Sequence, residues 1–277
     1  MRVIISRKGF DSASGGFPSP IIDGRPRSLP IPTNHHTRFR YIDLPDEMGG
    51  VLNDLTGNPH RSRGYCHLDP DLDPRVTPRL RGWRGAFGQV GRAQSHLRNQ
   101  GVGERDLFLF FGLFCNAVRT SGHWTYEGPR EHRLFGWLQI DRVLCVGDDP
   151  TETLRDYPWL EDHPHTDATD DWPESNTIYI ARKHLTFDGV RKNVPGWGLF
   201  PKGVRLTAED STLPSLWTVP AWLNPTVGGT GCTYNPPKRF KPNGELRSPG
   251  RGQEFVADIT GRPDAMTWLR VLFEEQA

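Results

Sequence analysis

The chain opens with MRVIISRKGFDSASGGFPSP (residues 1–20), and this stretch determines how the sheet begins. The apolar run VII at 3–5 has no helical spacing, so it predicts a buried β-strand over residues 2–6. A strand this apolar needs cover on both faces, and we therefore expect it inside a sheet. Arg7 and Lys8 follow directly, at the carboxyl end of the strand, where α/β proteins commonly bind ligands.

The next residues form a turn that glycine and proline restrain. Gly15 and Gly16 permit close backbone approach, and two prolines reduce the freedom of the loop. Rigid support of this kind suits the binding of a phosphate or a base in one fixed position. A plain turn capped by its own carboxylate is an equal alternative. We predict a site lined by residues 6–12, with Lys8 and Asp11 as catalytic residues and Ser6, Arg7 and Ser12 as substrate-binding residues.

A second set of polar side chains follows the run FGQVGRAQSHLRNQG (residues 87–101). Val90, Ala93 and Leu97 recur at helical spacing, which predicts a helix over residues 88–98 that ends near Gly101. Its other face carries amides and an imidazole, which read base edges well, although a solvated face is the alternative. We expect these side chains to bind substrate opposite the Ser6–Ser12 segment: Gln94, His96, Asn99 and Gln100.

Three further residues are candidates. Glu254 lies between a basic loop and an apolar, strand-like run, where a carboxylate can act as a general base. An ordinary salt bridge is the alternative. Gln253 beside it, and Trp137 in the aromatic segment HRLFGWLQI (residues 132–140), are predicted to bind substrate.

Two groups of histidines and aspartates have alternating spacing. On a strand, His163, His165 and Asp167 would share one face and could bind a cation. The neighbouring prolines and aspartates favour a solvated loop, and the group of His67, Asp69 and Asp71 has the same weakness. We therefore predict no metal site, and the sequence does not identify a cofactor.

Composition excludes several classes of protein. The 277 residues carry 34 Lys and Arg against 33 Asp and Glu, so no global positive field points to nucleic acid. The four cysteines contain no C-x-x-C pair, which makes a disulfide framework or a zinc ribbon improbable. The longest apolar run, LFLFFGLFC (107–115), is about half of a membrane span, so we expect a cytoplasmic protein with no membrane partner.

The remaining pattern predicts one domain over residues 1–277. Its fold class is α+β or mixed α/β, with a mixed β-sheet or a barrel-like centre and a C-terminal helix. The predicted elements are a hairpin that pairs residues 21–22 with 29–31, a short helix within 46–56, strands at 106–114, 132–147, 176–187 and 204–206, and a terminal helix from Pro263.

The sequence resembles the nucleotide modification associated domain 3 family, proteins of DNA base hypermodification. The resemblance rests on five motifs in order between residues 4 and 140: ISRKGFDSASGGFPSPI, SLPIP, CHLDPDL, FGQVGRAQSHLRNQGVGERDLFLFFG and HRLFGWLQI. It implies a bacterial or phage modification system, DNA or a nucleotide as partner, and other DNA-modification enzymes as further partners. It implies no particular catalytic residues.

Two functions are therefore expected as alternatives. The first is a DNA-modifying enzyme that acts on a nucleobase or nucleotide, with base extrusion if the substrate is duplex DNA. The second is a non-catalytic reader of modified bases, because the central strands are loosely similar to PUA-like or EVE-like barrels that hold a flipped base.

Overall fold

Strand β1 (Arg2–Arg7) is formed by the apolar run that opens the chain. The structure is a computed structural model and describes residues 1–35, 37–168, 171–190, 193–250 and 254–275. The other strands are β2 (Ser19–Ile22), β3 (Arg25–Pro26), β4 (Ile31–Pro32), β5 (Cys66–His67), β6 (Ala86–Gln89), β7 (Leu107–Thr120), β8 (His123–Cys145), β9 (Thr177–Ala181), β10 (Trp197–Arg205), β11 (Leu216–Thr218), β12 (Glu245–Arg247) and β13 (Glu254–Asp258). The α-helices are α1 (Met48–Thr56), α2 (Gly91–Asn99), α3 (Thr151–Asp156) and α4 (Pro263–Glu275).

The main sheet has the strand order β13-β1-β7-β8-β9-β6. Strand β1 runs parallel to β7 and antiparallel to β13, so its backbone is paired on both sides. Val3 and Ile4 are fully buried. The expectation that the first strand is covered on both faces and does not form a solvent-facing edge is confirmed.

Side chains of β1 alternate between two hydrophobic layers. Val3 and Ile5 pack in a layer that also contains Leu269 and other residues of α4. Ile4 packs on the opposite side, in a layer that contains Leu97 of α2. The same alternation directs Ser6 and Lys8 toward the α2 side and Arg7 toward the α4 side.

The sheet is open, and its two outer strands approach each other. Among the described residues, β13 pairs with no strand other than β1 and β6 with no strand other than β9, and Ala86 of β6 also forms an isolated bridge with Asp71. A side-chain hydrogen bond from Gln89 Nε2 on β6 to Glu254 Oε1 on β13, 2.7 Å long, joins the two ends. The predicted class, a mixed sheet with a C-terminal helix, is confirmed, and its barrel-like variant is wrong.

Three local predictions are corrected. The turn at Asp23-Gly24 exists, with φ of 51° and 72°, but β2 pairs with β3 and not with residues 29–31. Helix α2 begins at Gly91, because the preceding residues from Ala86 pair with β9 as a strand. Strands β7 and β8 extend beyond the predicted bounds and form one long hairpin, because Ser121-Gly122 supplies the tight turn.

Two further strands differ from their predicted bounds, since β9 ends at Ala181 and the strand predicted over residues 204–206 is the end of the longer β10. Helices α1 and α4 lie where the sequence placed them. All four cysteines are free thiols. In the part of the chain that the structure describes, no helix has the length and apolarity to cross a bilayer.

Candidate functional site

A buried polar cluster lies where β13, β1 and β6 converge on the α2 side of the sheet. We call Ser6, Lys8, Gln89 and Glu254 the Lys8–Glu254 cluster. Lys8 Nζ donates to Glu254 Oε1 at 2.9 Å, and Gln89 Nε2 donates to the same oxygen at 2.7 Å. The side chain of Lys8 is only 10% exposed and that of Glu254 only 1% exposed. The structure therefore brings together two of the predicted catalytic residues, which stand 246 positions apart in sequence.

Strand register explains why these side chains meet. Ser6 lies directly opposite Glu254 in the antiparallel β1–β13 pair, so both side chains point to one face. Lys8 follows Ser6 by two residues and returns to that face, where its ammonium lies 4.3 Å from the centre of the Phe87 ring. Phe87 and Gln89 alternate in the same way along β6. Gln89 was not predicted as a site residue, although a polar residue that ends the apolar segment AFG was a usable signal.

The cluster carries unused hydrogen-bonding capacity. Among the described residues, neither Glu254 Oε2 nor Ser6 Oγ has a hydrogen-bond partner, and both atoms are buried. A buried carboxylate oxygen without a donor is costly, since burial removes the water that would otherwise solvate it. Such an oxygen can accept a proton or a hydrogen bond from a bound molecule. The cluster thus offers a carboxylate that can accept a hydrogen bond and a cation in a fixed position, both beside apolar side chains.

Helix α2 connects this cluster to the surface through a hydroxyl. Thr233 Oγ1 donates to the Glu254 carbonyl at 3.3 Å and accepts from Val256 N at 2.9 Å. His96 Nε2 lies 3.0 Å from the same hydroxyl, and which of the two donates depends on the tautomer of the ring. Burial lowers the pKa of His96, against the opposing charge of Glu254, so the imidazole is neutral at pH 7.

An exposed aromatic ring stands beside His96. The ring of Tyr234 lies 4.5 Å from that of His96, and Tyr234 is 51% exposed. Tyr234 also lines an open groove with Thr233, Asn235 and Pro236. Thr233 and Tyr234 were not predicted from the sequence. Their segment is rich in proline and glycine and contains no motif that predicts a functional residue.

The other predicted residues of α2 are divided between core and surface. Gln94 is buried and accepts a hydrogen bond of 2.8 Å from the hydroxyl of Tyr179. Asn99 is exposed at the last turn, and Gln100 is half-buried as the C-terminal cap. Of the four residues predicted on this helix, His96 is the one linked to the Lys8–Glu254 cluster, through the Thr233 hydroxyl.

Several predicted substrate-binding residues lie elsewhere. Arg7 points to the α4 side, where it donates to the carbonyls of Pro249 and Gly250. Trp137 lies in the core on that side and donates to the Pro195 carbonyl at 3.0 Å. Ser12 is exposed in the turn. Gln253 lies outside the described residues.

Asp11 has a local role in the turn. Its Oδ1 accepts from the backbone N–H groups of Ala13 and Ser14, each at 2.7 Å. The Asp11 N–H donates to the Ser14 carbonyl at 2.8 Å, which closes the turn. These contacts are those of a loop-capping carboxylate. The catalytic role assigned to Asp11 stays a prediction.

Two variants of Asp11 separate these roles. We expect Asp11→Ala to lower the free energy of unfolding by about 1 kcal/mol, because two backbone donors lose their acceptor. Asp11→Asn keeps the oxygen and should unfold like the wild type in urea. Loss of activity in the stable Asp11→Asn protein would support catalysis, and full activity there would leave only the structural role.

Residues of the two predicted histidine groups meet each other. His163 caps a short 3-10 turn at Pro164–Thr166 and His165 lies within it, not on a strand, and both histidines are 3% exposed. The expectation of a solvated loop is therefore wrong for them. Ligand atoms of His67, Asp69 and His165 lie within 4.8 Å of one another, a grouping that could hold a metal ion. It combines residues from both sequence groups, whereas Asp71 instead forms an ion pair with Arg79.

Comparison with known proteins yields one match. Residues 2–258 match the model of the family described as Nucleotide modification associated domain 3. The matched region contains every described residue of the Lys8–Glu254 cluster and of the histidine group. The comparisons with curated proteins and with solved structures find no significant match.

Proposed function

Because the chain belongs to the nucleotide modification associated domain 3 family, we propose that it is an enzyme that modifies a nucleobase or nucleotide of DNA. The reaction is assigned to the Lys8–Glu254 cluster and to the groove beside His96. Other DNA-modification enzymes of the same system are its proposed partners, and the cytoplasm is its proposed location.

The observation that carries this proposal is the buried carboxylate of Glu254. Lys8 and Gln89 both donate to its Oε1, while Oε2 has no donor among the described residues. Two donors on one oxygen fix the carboxylate in a single orientation, with the second oxygen presented to one direction. A positioned base of this kind is what proton abstraction from a substrate requires. A purely structural ion pair does not need an oxygen left without a partner.

Each neighbouring group has a proposed role in binding. The Tyr234 ring offers a stacking face for a base, and stacking on an aromatic ring contributes about 1–3 kcal/mol per base. His96 Nδ1 forms a hydrogen bond with the edge of that base. Lys8 supplies a point charge that stabilises negative charge as it develops on the substrate. This arrangement accounts for the polar residues that follow the apolar run of β1.

The direct test is mass spectrometry of nucleosides digested from DNA of cells with and without the gene. We expect a modified nucleoside that disappears when the gene is deleted and that returns with the wild-type gene. An unchanged nucleoside profile, together with retained binding to modified DNA, would instead support the reader of modified bases. The exposed Tyr234 ring would serve either function, and only the enzyme requires Glu254 as a base.

Tyr234→Ala tests the groove. We expect it to weaken binding of a single-stranded oligonucleotide by about 1–3 kcal/mol, because a base loses its stacking partner. Fluorescence anisotropy of a labelled oligonucleotide measures this change. Ile42→Ala is the control, since it also removes an exposed hydrophobic side chain, 62% exposed in the structure, but lies outside the groove. Equal effects of the two variants would contradict the assignment of the groove.

A further inference from the structure

We infer that His67, Asp69 and His165 form a binding site for a first-row divalent transition metal, separate from the Lys8–Glu254 cluster. One ligand atom from each residue lies within 4.8 Å of the other two. Metal–ligand distances of about 2.0–2.2 Å place neighbouring ligands roughly 3–4 Å apart, so small side-chain rotations complete the site. Two imidazoles and one carboxylate with further positions open are a set that Fe(II) and Zn²⁺ accept.

The hydrogen bonds of His165 prepare one nitrogen for a metal. Asn176 Nδ2 donates to the His165 carbonyl at 2.9 Å, which directs Asn176 Oδ1 toward His165 Nδ1 at 2.7 Å. Because an amide oxygen only accepts, His165 Nδ1 carries the proton and Nε2 keeps its lone pair. A ligating histidine commonly donates its other N–H to an oxygen of this kind, which fixes the ring and its tautomer.

The carboxylate of Asp69 is held in the same manner. Its Oδ1 accepts from the Gly88 N–H at 2.7 Å. His163 Nδ1 accepts from the His165 N–H, so His163 carries its proton on Nε2, 3.5 Å from Asp69 Oδ1. That nitrogen is buried and points at the carboxylate, so His163 helps to hold Asp69 in place, as groups behind a metal ligand commonly do.

The site lies on the far side of β6 from the Lys8–Glu254 cluster. Phe87 and Gln89 point to that cluster, whereas a Cβ on Gly88 would lie 2.2 Å from the His165 ring. Glycine at this position therefore allows the imidazole to reach the strand backbone. His67 is half-buried, which leaves one side of the site near solvent as a route for an ion.

The test is a Zn²⁺ titration of full-length, tag-free protein after dialysis against a chelator, with a chromophoric chelator as competitor. We expect one Zn²⁺ per chain, with no competition from excess Mg²⁺, because nitrogen ligands disfavour that ion. Asp69→Asn and His165→Gln should each weaken binding at least about 10-fold, and Asn176→Ala by about 10- to 100-fold.

His132→Gln is the matched control. His132 is also a buried histidine whose pKa burial lowers to about 3, but it accepts a hydrogen bond from Trp217 on the α4 side of the sheet. This variant should bind Zn²⁺ like the wild type. Circular dichroism shows whether each ligand variant is folded. If one is not, Asn176→Ala still tests the site, because it leaves all three ligands in place. No stoichiometric Zn²⁺ binding by the wild type, or wild-type affinity in Asp69→Asn or in Asn176→Ala, would overturn the proposal.

Discussion

Glu254→Gln is expected to reduce nucleobase modification at least about 100-fold, because a positioned general base contributes about 10²–10⁴-fold to a rate. The substitution preserves the shape of the side chain and an oxygen that accepts from Lys8 and Gln89. It removes the charge and the basicity of the second oxygen. Nucleoside mass spectrometry of DNA from cells that express the variant measures the effect, and circular dichroism confirms that the protein is folded.

Asp106→Asn is the control for loss of a buried carboxylate. Asp106 lies at the other end of β1, where it accepts from the Arg2 backbone N–H at 2.6 Å and pairs with the Arg2 guanidinium at 3.6 Å. Its side chain is 5% exposed, so neutralising it carries a comparable structural cost. We expect Asp106→Asn to remain active. Equal loss in the two variants would mean that charge burial, and not base catalysis, determines the result.

Lys8→Met is expected to lower the free energy of unfolding by about 3–5 kcal/mol, because it leaves the buried Glu254 carboxylate without its cation. Methionine is an unbranched side chain of nearly the same length as lysine, so the loss reports the charge and not a cavity. Urea unfolding measures the change. Lys241→Met provides the same substitution in an exposed pair with Glu245, at 3.4 Å, and should change stability by no more than about 1 kcal/mol.

The double variant Lys8→Met/Glu254→Gln completes this cycle. With both charges removed, no unpaired ion remains in the core, so part of the lost stability should return. Activity should not return, because the base is absent. If Lys8→Met alone unfolds like the wild type, the ion pair contributes little to stability and the buried position of Lys8 would need another cause.

These expectations change one inference from the sequence. From residue type alone, Lys8→Ala and Asp11→Ala are both predicted to abolish activity or binding and to leave thermal unfolding nearly unchanged. The structure shows the ammonium paired with a carboxylate that is 1% exposed, so loss of stability and loss of function are expected together. For that reason the isosteric Glu254→Gln variant, and not Lys8→Ala, separates function from folding.

The residue pattern of a single segment was sufficient to predict those helices and strands that depend on that segment alone. The VII run required a strand covered on both faces, and the spacing of Met266, Leu269 and Phe273 required a terminal helix with one apolar face. The start of α2 was predicted three residues too early, because AFGQ has no feature that separates a strand from a helix turn until it pairs with β9. Strand pairing is a long-range contact, so the sequence of one strand does not identify the strand with which it pairs.

The sequence by itself determined the family, the covered first strand and the presence of a cation and a carboxylate at two strand ends. Only the tertiary structure decided which side chains meet. Pleating sends Lys8 to one face and Arg7 to the other, and the β1–β13 register sets Ser6 against Glu254. The fold likewise joins His67 and Asp69 to His165, from two segments about a hundred residues apart, each of which resembles an ordinary loop. A site built from distant segments depends on register and packing, and neither is encoded in the spacing of residues along one segment.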